Sequence, residues 1–210
     1  MITRAENKEA YHHGNLREAL LDAGVELIAK EGLDGFSLRA VAREANVSHA
    51  APYRHFEGKE DLIASIAETG FSKLAHEMQK VTRKHQDNPG EMLMESGRAY
   101  IQFGLNHRNH LRIMFGDIGD ELPEFDHLRE AAEQAFGGFV EIIALCQEHG
   151  IVKQGSPAQI AMSAWSMVHG ITILLMEKKL PPSLLQNTSD TQLIEQSMRD
   201  LFTGLQPRDL

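Results

Sequence analysis

The chain has 210 residues, 42% of them hydrophobic, and a formal net charge of −9. That length holds one mid-sized domain or two small ones, and the apolar share excludes disorder as the general state. The acidic balance excludes a protein that coats nucleic acid or anionic membrane by bulk charge, while leaving room for a small local binding surface.

Cys146 is the one cysteine, so no internal disulfide and no CxxC zinc site can form, which points to a reducing cytoplasm. The first 15 residues are polar and lack the apolar core of a secretory signal. The most apolar stretch, 160–176, contains Ser163, Ser166, His169, Gly170 and Thr172. It falls short of the about 20 predominantly apolar residues of a membrane span, so a buried or interface helix is expected.

In chain order, Asn15-Leu16-Arg17-Glu18 reads as a capping box, and Leu16, Leu20, Ala23 and Leu27 step along one helical face until Gly32 stops it. Ser37 caps a second, short helix, with Phe36 and Val41 at the spacing of a hydrophobic staple, and Asn46 breaks it. Ser48 caps another short helix through about His55. A long helix follows from Lys59 to Arg83. Asn88-Pro89-Gly90-Glu91 opens a helix over 89–106, and a shorter one covers 109–115. An acidic loop leads to a long helix from about Pro123 to Gly150, in which Gly137 and Gly138 mark close packing or a kink. Ser156-Pro157 opens the next helix and Pro181-Pro182 closes it. Ser189 and Gln192 open the last, which ends near Gly204. With no repeat and no sustained strand-like alternation, the expected class is all-α with about nine helices.

The two short helices flanking Asn46-Val47-Ser48 form a helix-turn-helix pattern over Ser37–Phe56. Asn tolerates the positive φ such a turn needs, and Val47 anchors the second helix on the core. Within Pro52-Tyr53-Arg54-His55-Phe56-Glu57-Gly58-Lys59, the order tyrosine, any residue, histidine, phenylalanine and then lysine three positions later resembles the signature of the TetR family of transcriptional regulators. Ser37-Leu38-Arg39-Ala40-Val41-Ala42 resembles the first half of the same domain. The motif-bearing resemblance covers about residues 15–62. Two positions depart from the family pattern: Asn46 stands where glycine is commoner, and Pro52 where a branched aliphatic residue is usual. The proline removes a backbone donor at the cost of at most one helical bond.

In a helix-turn-helix the start of the second helix faces base edges. His49, Ala50 and Ala51 occupy that place, the alanines small enough to touch thymine methyls. Arg39 matches a family position that reaches guanine, and Arg suits bidentate contact. Ser37 and Ser48 can hydrogen-bond phosphate at helix N-termini. The resemblance assigns Tyr53, His55 and Lys59 to phosphates, with Arg54 as an additional phosphate or base contact. Residues 1–60 carry eight Lys or Arg against ten Asp or Glu. The basic groups must therefore be sorted onto one face. Arg4 and Lys8 read equally as an arm over DNA or as a plain tail.

The expected division is a DNA-binding domain at 1–62 and a ligand-binding and dimerisation domain at 63–210. The resemblance implies a homodimer through the last two long helices. The helix from 157, apolar around most of its circumference, agrees, with Ala161, Ala164 and Gly170 permitting close approach. It also implies an effector pocket for an unidentified small molecule, for which Phe103, Met114, Phe139, Met162, Trp165 and His169 are candidates. Trp165 and His169 also read as satisfied core groups. His107 and His110 form a possible ligand pair without a third partner, and the acidic loop lacks EF-hand order, so no metal or cofactor is expected. There is no GxSxG, P-loop, HExxH or dinucleotide fingerprint, so no enzyme is expected. The resulting reading is a ligand-responsive repressor binding double-stranded palindromic DNA, with a DNA-bound protein-recruiting adaptor as the alternative.

Overall fold

A computed structural model describes residues 16–116, 125–186 and 188–207. Among these residues there are nine α-helices and one 3-10 helix, with no strand. They are α1 (Leu16–Glu31), α2 (Leu38–Glu44), the 3-10 helix (Pro52–Arg54), α3 (Lys59–Lys84), α4 (Pro89–Asn106), α5 (Arg108–Phe115), α6 (Asp126–Glu148), α7 (Pro157–Met176), α8 (Pro182–Leu185) and α9 (Asp190–Leu205). The number nine agrees with expectation, but the membership differs. The second helix of the helix-turn-helix is not an α-helix, and α8 was not expected.

Helix starts follow the capping chemistry. Ser37 Oγ accepts from Ala40 N, Asn88 Oδ1 from Glu91 N at 3.1 Å, and Ser156 Oγ from Gln159 N at 3.4 Å. Ser189 and Gln192 complete a reciprocal capping box. The Asn15 cap, Arg4, Lys8 and most of the acidic loop lie outside the described residues.

Helix ends show a second device. Asn46, Gly150 and Lys178 all have positive φ, at 54°, 68° and 53°. Each donates its amide back three residues, to Arg43, Gln147 and Leu175, while the next amide reaches Ala42, Cys146 and Leu174. That bond pair is a Schellman cap. α7 therefore stops at Met176, before the Pro181-Pro182 pair expected to close it, and Pro182 instead starts α8.

The chain packs as two compact units. The first takes the described residues of Met1–Gly70 and Asn109–Arg129, and the second those of Phe71–Arg108 and Glu130–Leu210. The packing units thus differ from a single cut at residue 62. The core of the first unit gathers Leu20, Phe36, Val41, Phe56, Leu62 and Ile66, so both members of the expected staple pair, Phe36 and Val41, are buried in it. Gly24 permits this closeness: a Cβ there would lie 2.7 Å from Ile66 Cδ1.

In the second unit Met92, Ile143, Cys146, Val152, Ala161 and Ala164 are fully buried. Cys146 Sγ donates to Pro89 O at 3.2 Å, and burial pushes its thiol up to about 11. Arg98 on α4 holds both carboxylate oxygens of Glu195 on α9 at 2.8 Å and also pairs with Glu95. Among the described residues, Gly137 and Gly138 mark no tight contact. α6 is continuous there, and a Cβ on either would meet nothing within 4 Å. The small residues of α7 divide as well: Ala161 and Ala164 are buried in their own unit, whereas a Cβ on Gly170 would meet nothing.

Candidate DNA-binding surface

The residues that build this surface are anchored from below. Leu38, Val41 and Phe56 pack into the core of the first unit, with Val47 packed against it. Asp61 Oδ2 accepts from Glu57 N at 2.8 Å, tying down the entry to α3. Lys59 Nζ donates to Leu33 O at 2.9 Å, clipping that entry to the loop after α1. Arg17 lies over the Phe56 ring, 5.7 Å from its centroid, and 3.6 Å from Glu68 on α3. A few buried aromatic and aliphatic groups thus fix the path from α2 to α3.

Between them, the segment expected as an α-helix from Ser48 to His55 is instead a tight turn followed by the 3-10 helix. Ala51 N donates to Ser48 O at 2.9 Å, Arg54 N to Ala51 O at 3.2 Å and His55 N to Pro52 O at 2.9 Å. The cause is Pro52. In an α-helix its amide would bond Ser48 O, but proline has no amide hydrogen and its ring collides with that carbonyl. The backbone answers with three-residue closures, after which Phe56 N closes over four residues onto Pro52 O at 3.0 Å. The cost of the proline was expected to be one lost bond; it is a change of helix type.

Of the ten candidate DNA contacts, Ser37, Arg39, Ser48, His49, Ala50, Tyr53, Arg54 and His55 are exposed. Tyr53, with 57% of its surface exposed, is a large side chain with no core role. Phe56 is core, only 3% exposed. Ala51 is a correction: only 7% exposed, it faces the core and cannot touch a thymine methyl. Lys59 is half-buried and spends one of its three N–H bonds on Leu33. Arg39 and Arg54 make no ion pair or hydrogen bond among the described residues, so both guanidinium groups are unengaged.

Arg43 is a residue the sequence reading missed. It is exposed one helical turn after Arg39, and their four-residue spacing on α2 was the available signal. Its neighbour Glu44 is taken up by Lys30 at 2.6 Å, an exposed pair that raises the Lys30 pKa through the hydrogen bond to Glu44. The pairing leaves Arg43 as the free charge at the end of α2. A chain of net charge −9 thereby presents four unpaired or partly free basic groups, Arg39, Arg43, Arg54 and Lys59, beside two histidines and a tyrosine. Such a set has the donors and charge that contacts to phosphates and base edges require.

Five of the six effector candidates fall in the second unit. Met114 belongs to the first unit, packed beside Gly70. Met162 is 47% exposed. Phe139 is half-buried against the core of the second unit, and Phe103 is buried with its ring 4.9 Å from that of His107. Trp165 and His169 do meet, with ring centroids 5.3 Å apart, and His169 Nδ1 lies 2.8 Å from Tyr100 Oη. Burial lowers the His169 pKa, keeping the imidazole neutral, and burial raises that of Tyr100 against an opposing hydrogen bond from Trp165. The pair reads as a satisfied polar cluster. The second unit does contain a groove of about 640 Å³ bordered by Met78, Arg83, Met92, Ala135, Ile142 and Glu148. Its sequence signal was weak, because small residues such as Ala75, Ala135 and Gly138 create the space without announcing a ligand. Among the described residues no cluster of three or more His, Cys, Asp or Glu side chains can hold a metal ion.

Residues 20–66 match the family model described as bacterial regulatory proteins, tetR family, and residues 93–201 match the tetracyclin repressor-like C-terminal domain. The transcriptional repressor BepR of Brucella suis is 26% identical over 177 residues, covering 80% of this chain and 81% of that protein. A structure of unknown function from Rhodococcus sp. RHA1 superposes with a TM-score of 0.79 at 30% identity, covering 94% of this chain and 98% of that one. The TetR-family regulator PfmR of Thermus thermophilus shares the fold, with a TM-score of 0.68 at 17% identity over 90% and 99% of the two chains. With the reading surface, the all-α body and both family models in agreement, the chain belongs to the TetR family of DNA-binding transcriptional regulators.

Proposed function

We propose that the chain is a ligand-responsive repressor that binds a palindromic operator as a homodimer in the cytoplasm. In functional terms, residues 1–62 form the reading head and 63–210 the effector and dimerisation body. The observation that carries this reading is the set of exposed, unengaged groups Arg39, Arg43, His49, Tyr53 and Arg54 on α2 and on the turn that follows it. One such turn reads few bases, and a two-fold pair about 34–36 Å apart reads enough to select a site. Dimerisation is supported by α7, whose outer side exposes Met162 (47%), Met167 (45%) and Leu174 (42%) around the open Gly170 position. Repression is supported by the similarity to BepR, a protein named as a repressor.

Beside the six candidate residues, the effector reading gains the groove between the later turns of α3 and α6, lined in part by Met92. Its volume lies in the range of small-molecule sites. A ligand seated there acts by binding one conformation of the dimer better than another, which shifts the population away from the DNA-binding form. The test combines gel shifts on the DNA flanking the protein's own gene with native mass spectrometry. Binding of a dimer to a palindromic site in preference to scrambled DNA at physiological salt supports the reading. Equal binding to both, or binding as a monomer, refutes it.

A further inference from the structure

We infer that Pro52 determines which DNA sequence this regulator selects, although its own side chain is buried and touches no base. Pro52 is among the fully buried side chains, so it acts through the backbone it shapes. Its missing amide and the ring's conflict with Ser48 O force the closures from Ala51 to Ser48 and from Arg54 to Ala51. A 3-10 path turns about 120° and rises about 2.0 Å per residue, against about 100° and 1.5 Å in an α-helix. Only Pro52–Arg54 follows that path, so along the stretch from His49 to Arg54 an α-helical course over those two steps would rotate one end against the other by about 40° and shorten their axial separation by about 1 Å.

Those two residues serve different ends of the contact. His49 and Ala50 stand at the start of the turn, where base edges are met, while Tyr53, Arg54 and His55 stand at its end beside the entry to α3. Base contacts specify and phosphate contacts set orientation, so their relative phase decides which base step lies under His49 once the phosphates are engaged. A residue with an amide at position 52 restores the bond to Ser48 O and moves the reading residues together.

This inference rests on the proposal that the turn reads bases, and the experiment separates the two. Full-length wild type, Pro52→Ala and Pro52→Val are each used to select duplexes from a random library, and each protein is then titrated against every selected duplex. Circular dichroism and thermal melting run alongside. Ala and Val restore the same amide, but Val keeps most of the buried volume and Ala does not. The inference predicts that both variants shift alike. Each loses at least tenfold of the wild type's preference for its selected duplex over scrambled DNA, and each enriches a different sequence. A packing role alone predicts that Val retains the wild-type sequence while Ala shifts, and that result overturns the inference. So does retention of the wild-type sequence by both folded variants, or failure of both to fold. If wild type enriches no sequence at all, base reading by the turn fails, and the inference with it.

Discussion

Asn46 offers the sharpest test of how the fold presents its reading surface. Its φ of 54° lies in the left-handed region, and two hydrogen bonds depend on that conformation: Asn46 N to Arg43 O at 3.1 Å and Val47 N to Ala42 O at 2.9 Å. For L-residues that region costs about 1–2 kcal/mol, which glycine escapes and asparagine partly escapes. Asn46→Ala should therefore lower stability by about 1 kcal/mol, and Asn46→Val by more, because a β-branched residue is a true outlier there. Asn46→Gly should leave stability unchanged or raise it by about 0.5–1 kcal/mol. For a chain of this size 1 kcal/mol moves the melting temperature by about 2–4 °C, within the range of calorimetry or urea titration. The same cap sets the exit of α2 and the entry of the reading turn, so DNA affinity should follow the order Gly, Asn, Ala, Val at temperatures where every variant is folded. Asn46→Val melting at or above wild type would refute the reasoning, since it would show that the left-handed turn carries no cost.

Other consequences follow from individual contacts. Lys178, at φ 53°, is exposed at the end of α7, so Lys178→Gly should raise stability by up to about 1 kcal/mol in thermal melting without altering DNA binding. Arg39→Ala should cost about 1–3 kcal/mol of operator affinity and relax base preference, whereas Lys59→Ala should weaken selected and scrambled duplexes alike in parallel titrations. Lys59→Ala should also lower the melting temperature, because its ammonium holds Leu33 O at 2.9 Å. The Arg98 hydrogen bond and charge hold the Glu195 pKa below its ordinary value of 4.5. The sign of the linkage is therefore fixed: this pair stabilises the chain above about pH 4.5, and the contribution disappears as pH falls through the lowered value. Glu195→Gln should remove that acid-sensitive portion from a stability profile between pH 7 and 3, by a small amount because the pair is solvent-exposed in part.

Much of this architecture is written locally. Ser37, Asn88, Ser156 and Ser189 each cap the helix that their spacing announces, because a side-chain oxygen and an amide three residues on need no distant partner. Gly32 and Asn46 likewise end helices where their conformational freedom indicates. Lys178 ends α7 in the same way but without a compositional signal, so proline was credited with a stop that a lysine makes. Pro52 was visible as an oddity; counting its lost hydrogen bond did not foretell a change of helix type. Of the residues expected to meet DNA, Ala51 is the one whose burial the spacing did not indicate. The effector candidates were chosen by residue type, and aromatic and methionine side chains serve the core as readily as a pocket. The burial of Met114 in the first unit and the exposure of Met162 on α7 are tertiary outcomes that spacing along the chain does not encode.

The most direct test of the central claim is selection of DNA by the full-length protein at physiological salt, followed by base-resolution footprinting of wild type and Arg39→Ala. The account predicts one enriched duplex with two-fold related half-sites about one helical turn, or a whole number of turns, apart, and a loss of discrimination confined to the bases under Arg39. No enrichment over random sequence, or a footprint in which Arg39→Ala weakens every position equally, would contradict it.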